Sequence, residues 1–211
     1  MERLGNITLY NADCMEIMKG FKDKQFDLAI VDPPYGLGKR LAHGSKEKKN
    51  SQSKFTEEFY SKNWDNEIPS KEYFDELIRV SKNQIIWGGN YFPLPPSRCI
   101  ICWDKMVYIP SMSRIEFAWT SFDLLPQLIQ INNTDSNGIH LTQKPVQLYK
   151  WLLNKYAKAG DAILDTHLGS GSSAIAAHDG GFEFTGIELD EEYYNAAKKR
   201  ISEHQRQLNL F

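Results

Sequence analysis

The sequence predicts an α/β domain, on two observations. Short apolar runs alternate with amphipathic helical patterns along the chain, and several of those runs stop abruptly at acidic or glycine-bearing turns. A chain of 211 residues is also about one domain by size, and no internal repeat divides it, so residues 1–211 are expected to form a single domain.

The elements follow in order. Ile7–Asn11 reads as a strand, with a short helix from about Cys14 to Lys19 behind it. Phe26–Val31 is an apolar strand that ends at Asp32-Pro33-Pro34-Tyr35. Residues 36–66 then form a basic loop, expected to be mobile; between Lys39 and Lys54 it sets Lys39, Arg40, Lys46, Lys48, Lys49 and Lys54 against one acid, Glu47. Ser70 is a suitable N-cap for a helix through Val80, with Tyr73, Phe74, Leu77 and Ile78 on one face. Strands are expected at Gln84–Trp87, Arg98–Trp103 and Glu116–Trp119. Residues 121–139 lack periodicity and read as irregular. Pro145 opens a helix at its tolerated first position, ending near Lys158 before Gly160. Ala162–Asp165 is a strand leading into Gly169-Ser170-Gly171 and an Ala-rich helix. Phe182–Leu189 contains a strand ending at Glu188, and a charged helix follows.

Composition is that of an ordinary globular protein, 41% hydrophobic and 25% charged, with net charge −2. No apolar run reaches the ~20 residues of a membrane span and the start does not read as a signal peptide, so a cytoplasmic protein without membrane contact is expected. Three cysteines are too few for a disulfide scaffold. Cys99 and Cys102 have metal-like spacing but lie in an apolar strand, where residues three apart point to opposite faces, so no metal site is expected.

Three constellations carry chemistry. Asp32-Pro33-Pro34-Tyr35 follows a strand, where doubly wound sheets place their ligands. A carboxylate and the Pro33 carbonyl can accept the two N–H bonds of a base's exocyclic amine, consecutive prolines fix the backbone, and Tyr35 offers a flat face to an extruded base. The plain alternative is a proline-stiffened turn with Tyr35 in the core. The second constellation is Asp165 through Gly169, Gly171 and Ser173, again between strand and helix, with Glu188 ending the next strand. Its glycines admit a cofactor close to the backbone, and Glu188 is placed to accept from a ribose diol. Alone, this arrangement would equally suit a nicotinamide cofactor. The third is His140-Leu141-Thr142-Gln143-Lys144-Pro145, where Thr142 and Lys144 can offer a hydroxyl and a cation to a carboxylate. His178 and His204 read as structural.

Together, Asp32–Tyr35, the Thr142–Pro145 segment and the Gly169-Ser170-Gly171 loop resemble the amino-methyltransferases of DNA, which make N6-methyladenine or N4-methylcytosine. Asn11-Ala12-Asp13-Cys14 is similar to the acidic element that precedes Asp-Pro-Pro-Tyr in that family. The catalytic segment comes before the cofactor glycines, the circularly permuted order of the beta class. The resemblance covers nearly the whole chain. It implies a Rossmann-like, circularly permuted mixed sheet with helices on both faces. It also implies S-adenosylmethionine lying across Asp165, His167, Gly169, Gly171 and Glu188, with Asp13 and Cys14 at its adenine and Thr142 and Lys144 at its methionine end. Asp32, Pro33, Pro34 and Tyr35 would be the catalytic residues, with no metal. Thr166-His167 departs from the family's Pro-Phe, and Ser172-Ser173 from its threonines.

Within that resemblance, Asp rather than Ser at position 32 favours adenine N6 over cytosine N4; double-stranded DNA is the expected partner, with cytosine N4 and RNA adenine as the alternatives. Lys39, Arg40, Lys46, Lys48 and Lys49 would hold phosphates at the mouth of the site. The family's target-recognition region would correspond here to the short insert 121–139, and a homodimer is a fair expectation. The rival readings are a nicotinamide oxidoreductase, which leaves Asp32–Tyr35 unexplained, and a binding module on an inactive methyltransferase fold.

Overall fold

The computed structural model describes residues 1–37, 65, 67–106, 113–133 and 143–208. The basic positions Lys39, Arg40, Lys46, Lys48, Lys49 and Lys54 lie outside these residues, as do His140 and Thr142. The described strands are β1 (Glu2–Leu4), β2 (Ile7–Asn11), β3 (Phe26–Val31), β4 (Ser81–Trp87), β5 (Ile100–Asp104), β6 (Ile115–Thr120), β7 (Gln127–Gln130), β8 (Ala162–Asp165) and β9 (Glu183–Glu188). The helices are α1 (Cys14–Met18), α2 (Lys71–Val80), α3 (Val146–Tyr156), α4 (Ser172–Asp179) and α5 (Glu191–Leu208), with a 3₁₀ turn at Gly89–Tyr91.

The strands form one sheet in the order β1-β2-β9-β8-β3-β4-β6-β5-β7. Five neighbours from β2 to β4 run parallel, while β6 pairs antiparallel with both β4 and β5. The sheet is mixed, as expected. Parallel central strands must be apolar on both faces. In β3, Leu28 and Ile30 pack into one core with Leu148, Leu152, Ala174, Ala197 and Ile201 from α3, α4 and α5. Its alternate residues, Ala29 and Val31, pack into a second core with Met18 of α1 and Tyr73, Phe74, Leu77 and Val80 of α2. Helices therefore cover both faces. From β3 the chain winds outward to β4, and from β8 outward to β9, so the β3/β8 boundary is the topological switch point where such sheets bind ligands.

Three expectations need correction. Residues 121–139 are not uniformly irregular, because 127–130 form β7, an edge strand parallel to β5. An edge strand buries one face, and only Ile129 of the four is buried, which leaves too short an alternation to read. Second, β1 was not anticipated; it pairs with β2 through a Gly5-Asn6 turn in which Gly5 has φ +63°. Glycine followed by asparagine between apolar residues is a hairpin signal, so this strand was readable. Third, Pro145 stands at the N-cap of α3 rather than inside its first turn. Cys99 is buried against the Tyr156 hydroxyl while Cys102 sits opposite Phe117, so the two thiols diverge as expected.

Candidate active site

Four carboxylates line the carboxyl edge of four adjacent parallel strands. Asp13 follows β2, Glu188 ends β9, Asp165 ends β8 and Asp32 follows β3. The Asp32 carboxylate is partly exposed and bonded on both oxygens. Tyr35 donates its hydroxyl to Oδ1 at 2.5 Å, and Lys144 Nζ stands 2.5 Å from Oδ2. Pro33 is buried and Pro34 half-buried, consistent with a stiff turn. The turn is closed by Asp65, whose Oδ1 accepts from the Tyr35 and Gly36 amides at 2.5 and 2.9 Å and whose Oδ2 accepts from Leu37 at 3.2 Å. Successive amides converging on one anion form a nest. Burial nonetheless pushes the Asp65 carboxyl above its ordinary value, against the lowering effect of those amides.

The Tyr35 ring is stacked on Tyr91 at 5.1 Å and 19°, with Phe92 edge-on at 6.1 Å. It also lies against Gly88, where a Cβ would fall on the ring and the φ of +69° suits glycine. Burial and the neighbouring Asp32 charge hold the Tyr35 phenol well above its usual pKa, so it is a hydroxyl donor.

Beside this turn lies the second group. Asp165 is fully buried, and burial raises its carboxyl to about 7 despite bonds from Ser173 Oγ at 2.6 Å and the His167 amide at 3.0 Å. Glu188 accepts the Gly169 amide at 2.8 Å and the Asp190 amide at 3.0 Å; burial raises its pKa too. Gly169 has φ +51°, and a Cβ there would meet only the His167 carbonyl, at 3.9 Å, so the backbone borders open space. Gly171, at φ +77°, packs instead against Ala197 and Ile201 of α5. Asp13 caps α1 by accepting the Met15 amide at 2.7 Å. Cys14, raised to about 12 chiefly by burial, is a neutral thiol.

A row of acceptors facing a glycine turn suits the ribose diol and amino group of a nucleoside cofactor. His167, where the resembled family has an apolar ring, joins a hydrogen-bonded chain. Tyr73 Oη lies 2.7 Å from Thr166 Oγ1, which is 2.9 Å from His167 Nδ1. Burial depresses this imidazole to about 4, so it is neutral at pH 7. Among the described residues, no group of three or more His, Cys, Asp or Glu is arranged to hold a metal.

The structure thus brings Asp13, Cys14, Asp32–Tyr35, Asp165, His167, Gly169 and Glu188 to one edge, and Gly171 to the turn behind it. Lys144 stands against Asp32 rather than free for a ligand carboxylate, and its ammonium also lies 3.1 Å from Glu116 Oε2. Glu116, Asp65 and Tyr91 were not singled out from the sequence. Glu116 left a signal, since strand alternation places it on the inward face of β6 with Ala118. Asp65 and Tyr91 left none, because their partners are 30 and 56 positions away in the chain.

Comparison with known proteins comes from three directions. A family model described as DNA methylase matches residues 86–199, more than half of the chain. YubD of Escherichia coli (strain K12), which carries a methylase name, is 25% identical over 217 residues, spanning 92% of this chain and 89% of that protein. The crystal structure of the M1.HpyAVI–SAM complex superposes with TM-score 0.60 at 21% identity, covering 92% of this chain and 98% of that one. PvuII DNA methyltransferase, cytosine-N4-specific, gives TM-score 0.60 at 15% identity over 97% and 95%. At such identities these two are likenesses of fold.

Proposed function

The chain belongs to the N6/N4 DNA methylase family, and we propose that it moves a methyl group from S-adenosylmethionine to the exocyclic N6 amine of an adenine turned out of duplex DNA. The observation that carries this reading is the Asp32 carboxylate at the switch point, beside the Asp165–Glu188 row. When bound, S-adenosylmethionine supplies an electrophilic sulfonium methyl. Asp13, Asp165, Gly169 and Glu188 would hold it, with His167 and Cys14 as neutral walls. Asp32 and the Pro33 carbonyl accept the two amine N–H bonds and draw the nitrogen lone pair out of conjugation with the ring. That lone pair would take the methyl group, leaving the C–S electrons on sulfur as a neutral thioether, and the methylated amine would lose one N–H proton to solvent. The residues contribute position and acceptors, without a covalent enzyme intermediate.

Lys39, Arg40, Lys46, Lys48 and Lys49, which follow directly on Tyr35 in the chain, are proposed to grip phosphates beside the site. Residues 121–139 are proposed to take part in target recognition, and the protein is proposed to pair as a homodimer. The test is transfer of labelled methyl to mixed-sequence duplex DNA with nucleoside mass analysis, Asp32→Ala alongside. N6-methyldeoxyadenosine from the wild type only is the expected result. N4-methyldeoxycytidine would keep the mechanism and change the base, a fold-compatible outcome given the likeness to PvuII methyltransferase. No DNA product would overturn the reading.

A further inference from the structure

Behind Asp32 runs a chain of alternating charges, Lys144, Glu116 and Lys105, that no part of the methyl-transfer scheme uses. Lys144 Nζ stands 2.5 Å from Asp32 Oδ2 and 3.1 Å from Glu116 Oε2, and Lys105 Nζ stands 2.5 Å from Glu116 Oε1. Lys144 has a side-chain exposure of only 4%, and its ammonium lies 5.1 Å from the Trp87 ring centre. Burial opposes its charge, yet Asp32 and Glu116 together carry its pKa above the ordinary lysine value. Burial likewise opposes ionisation of Glu116, and Lys144 and Lys105 overcome it. Lys144 and Glu116 are therefore each held in their charged forms by the oppositely signed groups around them.

The two bonds of Lys144 are unequal. Its N–H groups are directed at Asp32 and, at 3.4 Å, at the Tyr35 hydroxyl. Glu116 Oε2, a buried atom, lies 3.1 Å from the ammonium, near enough for strong attraction but poorly aligned as a hydrogen bond, and no other described residue donates to it. A buried carboxylate oxygen without a hydrogen bond is costly, so it stands ready to receive one. Asp32 has the opposite problem, because an ammonium on Oδ2 and a phenol on Oδ1 weaken it as an acceptor for an amine.

We infer that Glu116 is a positioning residue for methyl transfer: it draws the Lys144 ammonium off Asp32 as the base arrives, leaving Asp32 free to accept the amine N–H. Lys144 rotates rather than leaves, exchanging one carboxylate partner for another, while Asp32 exchanges its cation for the amine N–H and keeps the Tyr35 hydroxyl. Lys105 sets the strength of the pull, since it competes with Lys144 for Glu116. This inference rests on the DNA-methylation reading and deepens it.

The test is steady-state methyl transfer to duplex DNA by the wild type, Glu116→Gln, Glu116→Asp and Lys105→Met, with a melting curve for each. Glu116→Gln should lower kcat roughly tenfold, the order of one hydrogen bond to a charged group. KM for S-adenosylmethionine should stay within about twofold, because Glu116 is apart from the Asp165–Glu188 row. Glu116→Asp should recover most of kcat. Lys105→Met should leave kcat equal or higher, since it removes the competing cation; the Lys105 side chain is 12% exposed, and the melting curve reports how far the fold tolerates its loss. Wild-type kcat in Glu116→Gln, or a loss in Lys105→Met matching that in Glu116→Gln, overturns the inference. A wild type that methylates no DNA overturns instead the reading beneath it.

Discussion

The aromatic ring of Tyr91 lies on that of Tyr35 at 5.1 Å, nearly parallel, on the ring that the proposed mechanism offers to the base. The Tyr35 hydroxyl is bound to Asp32, so a base whose amine reaches that carboxylate must lie along the same ring. Its backbone side is closed by Gly88, which leaves the face that Tyr91 covers. Tyr91 is 41% exposed and sits in a short 3₁₀ turn, so it can swing outward. An aromatic pair contributes about 0.5–1.5 kcal/mol beyond its buried area, and the base must replace that amount. Tyr91→Ala should therefore raise kcat/KM for duplex DNA roughly threefold, measured by labelled methyl transfer. A loss of similar size would mean that Tyr91 holds the base rather than its place.

Asp65 closes the turn that carries the proposed catalytic segment, Asp32–Tyr35. One carboxylate accepts the amides of Tyr35, Gly36 and Leu37, so replacing it orphans three donors at once. Asp65→Ala should lower stability by about 1–3 kcal/mol and kcat by roughly tenfold, with KM for S-adenosylmethionine little changed. Asp65→Asn keeps one acceptor oxygen and should fall between. Denaturant melts and steady-state kinetics on the same preparations check both halves.

Much of this site was legible in the chain. Strand β3, its Asp-Pro-Pro-Tyr end, strand β8 with the glycine turn and Glu188 ending β9 all follow from apolar runs cut off by chemically distinctive residues, a local signal. The partners of Asp32 were not legible in the same way. Lys144 is 112 positions from Asp32, and its other partner, Glu116, comes from the antiparallel arm. A lysine in a Thr-Gln-Lys-Pro segment looks equally ready for a free carboxylate, and only strand order decides which acid it meets. Asp65 is hidden for a related reason, since its three bonds go to backbone amides, which leave no mark on side-chain pattern. Strand β7 was missed because an edge strand with one buried residue has no periodicity to detect.

The basic segment after Tyr35 should show itself in salt dependence. Each phosphate neutralised by a lysine or arginine contributes about −0.9 to the slope of log K against log salt on duplex DNA. Replacing Lys39, Arg40, Lys46, Lys48 and Lys49 together by Ala should therefore flatten that slope by up to about 4.5 and weaken binding on all sequences alike. Fluorescence titration of one duplex at several salt concentrations measures it. An unchanged slope would remove these residues from the DNA interface.

Asp165 ties the cofactor edge to stability through pH. Its carboxyl titrates near 7 in the fold against 3.8 as the ordinary value, with burial as the main cause. The fold thus binds this proton more tightly than the unfolded chain does. The associated stability is fully present below about pH 4 and is lost as pH rises to about 7. Above that, the buried charge costs the fold on the order of 4 kcal/mol, at about 1.4 kcal/mol for each tenfold difference in proton affinity. Asp165→Asn keeps an acceptor oxygen for Ser173 or the His167 amide and cannot ionise. It should raise the melting temperature clearly at pH 8 and hardly at pH 4. The same variant should lose the stabilisation that S-adenosylmethionine gives the wild type, because a ligand adds stability only through its affinity for the folded state. Melting curves at both pH values, with and without S-adenosylmethionine, separate the two effects. A stabilised variant that still responds to S-adenosylmethionine would place Asp165 in the fold alone and move the cofactor's anchor to Glu188.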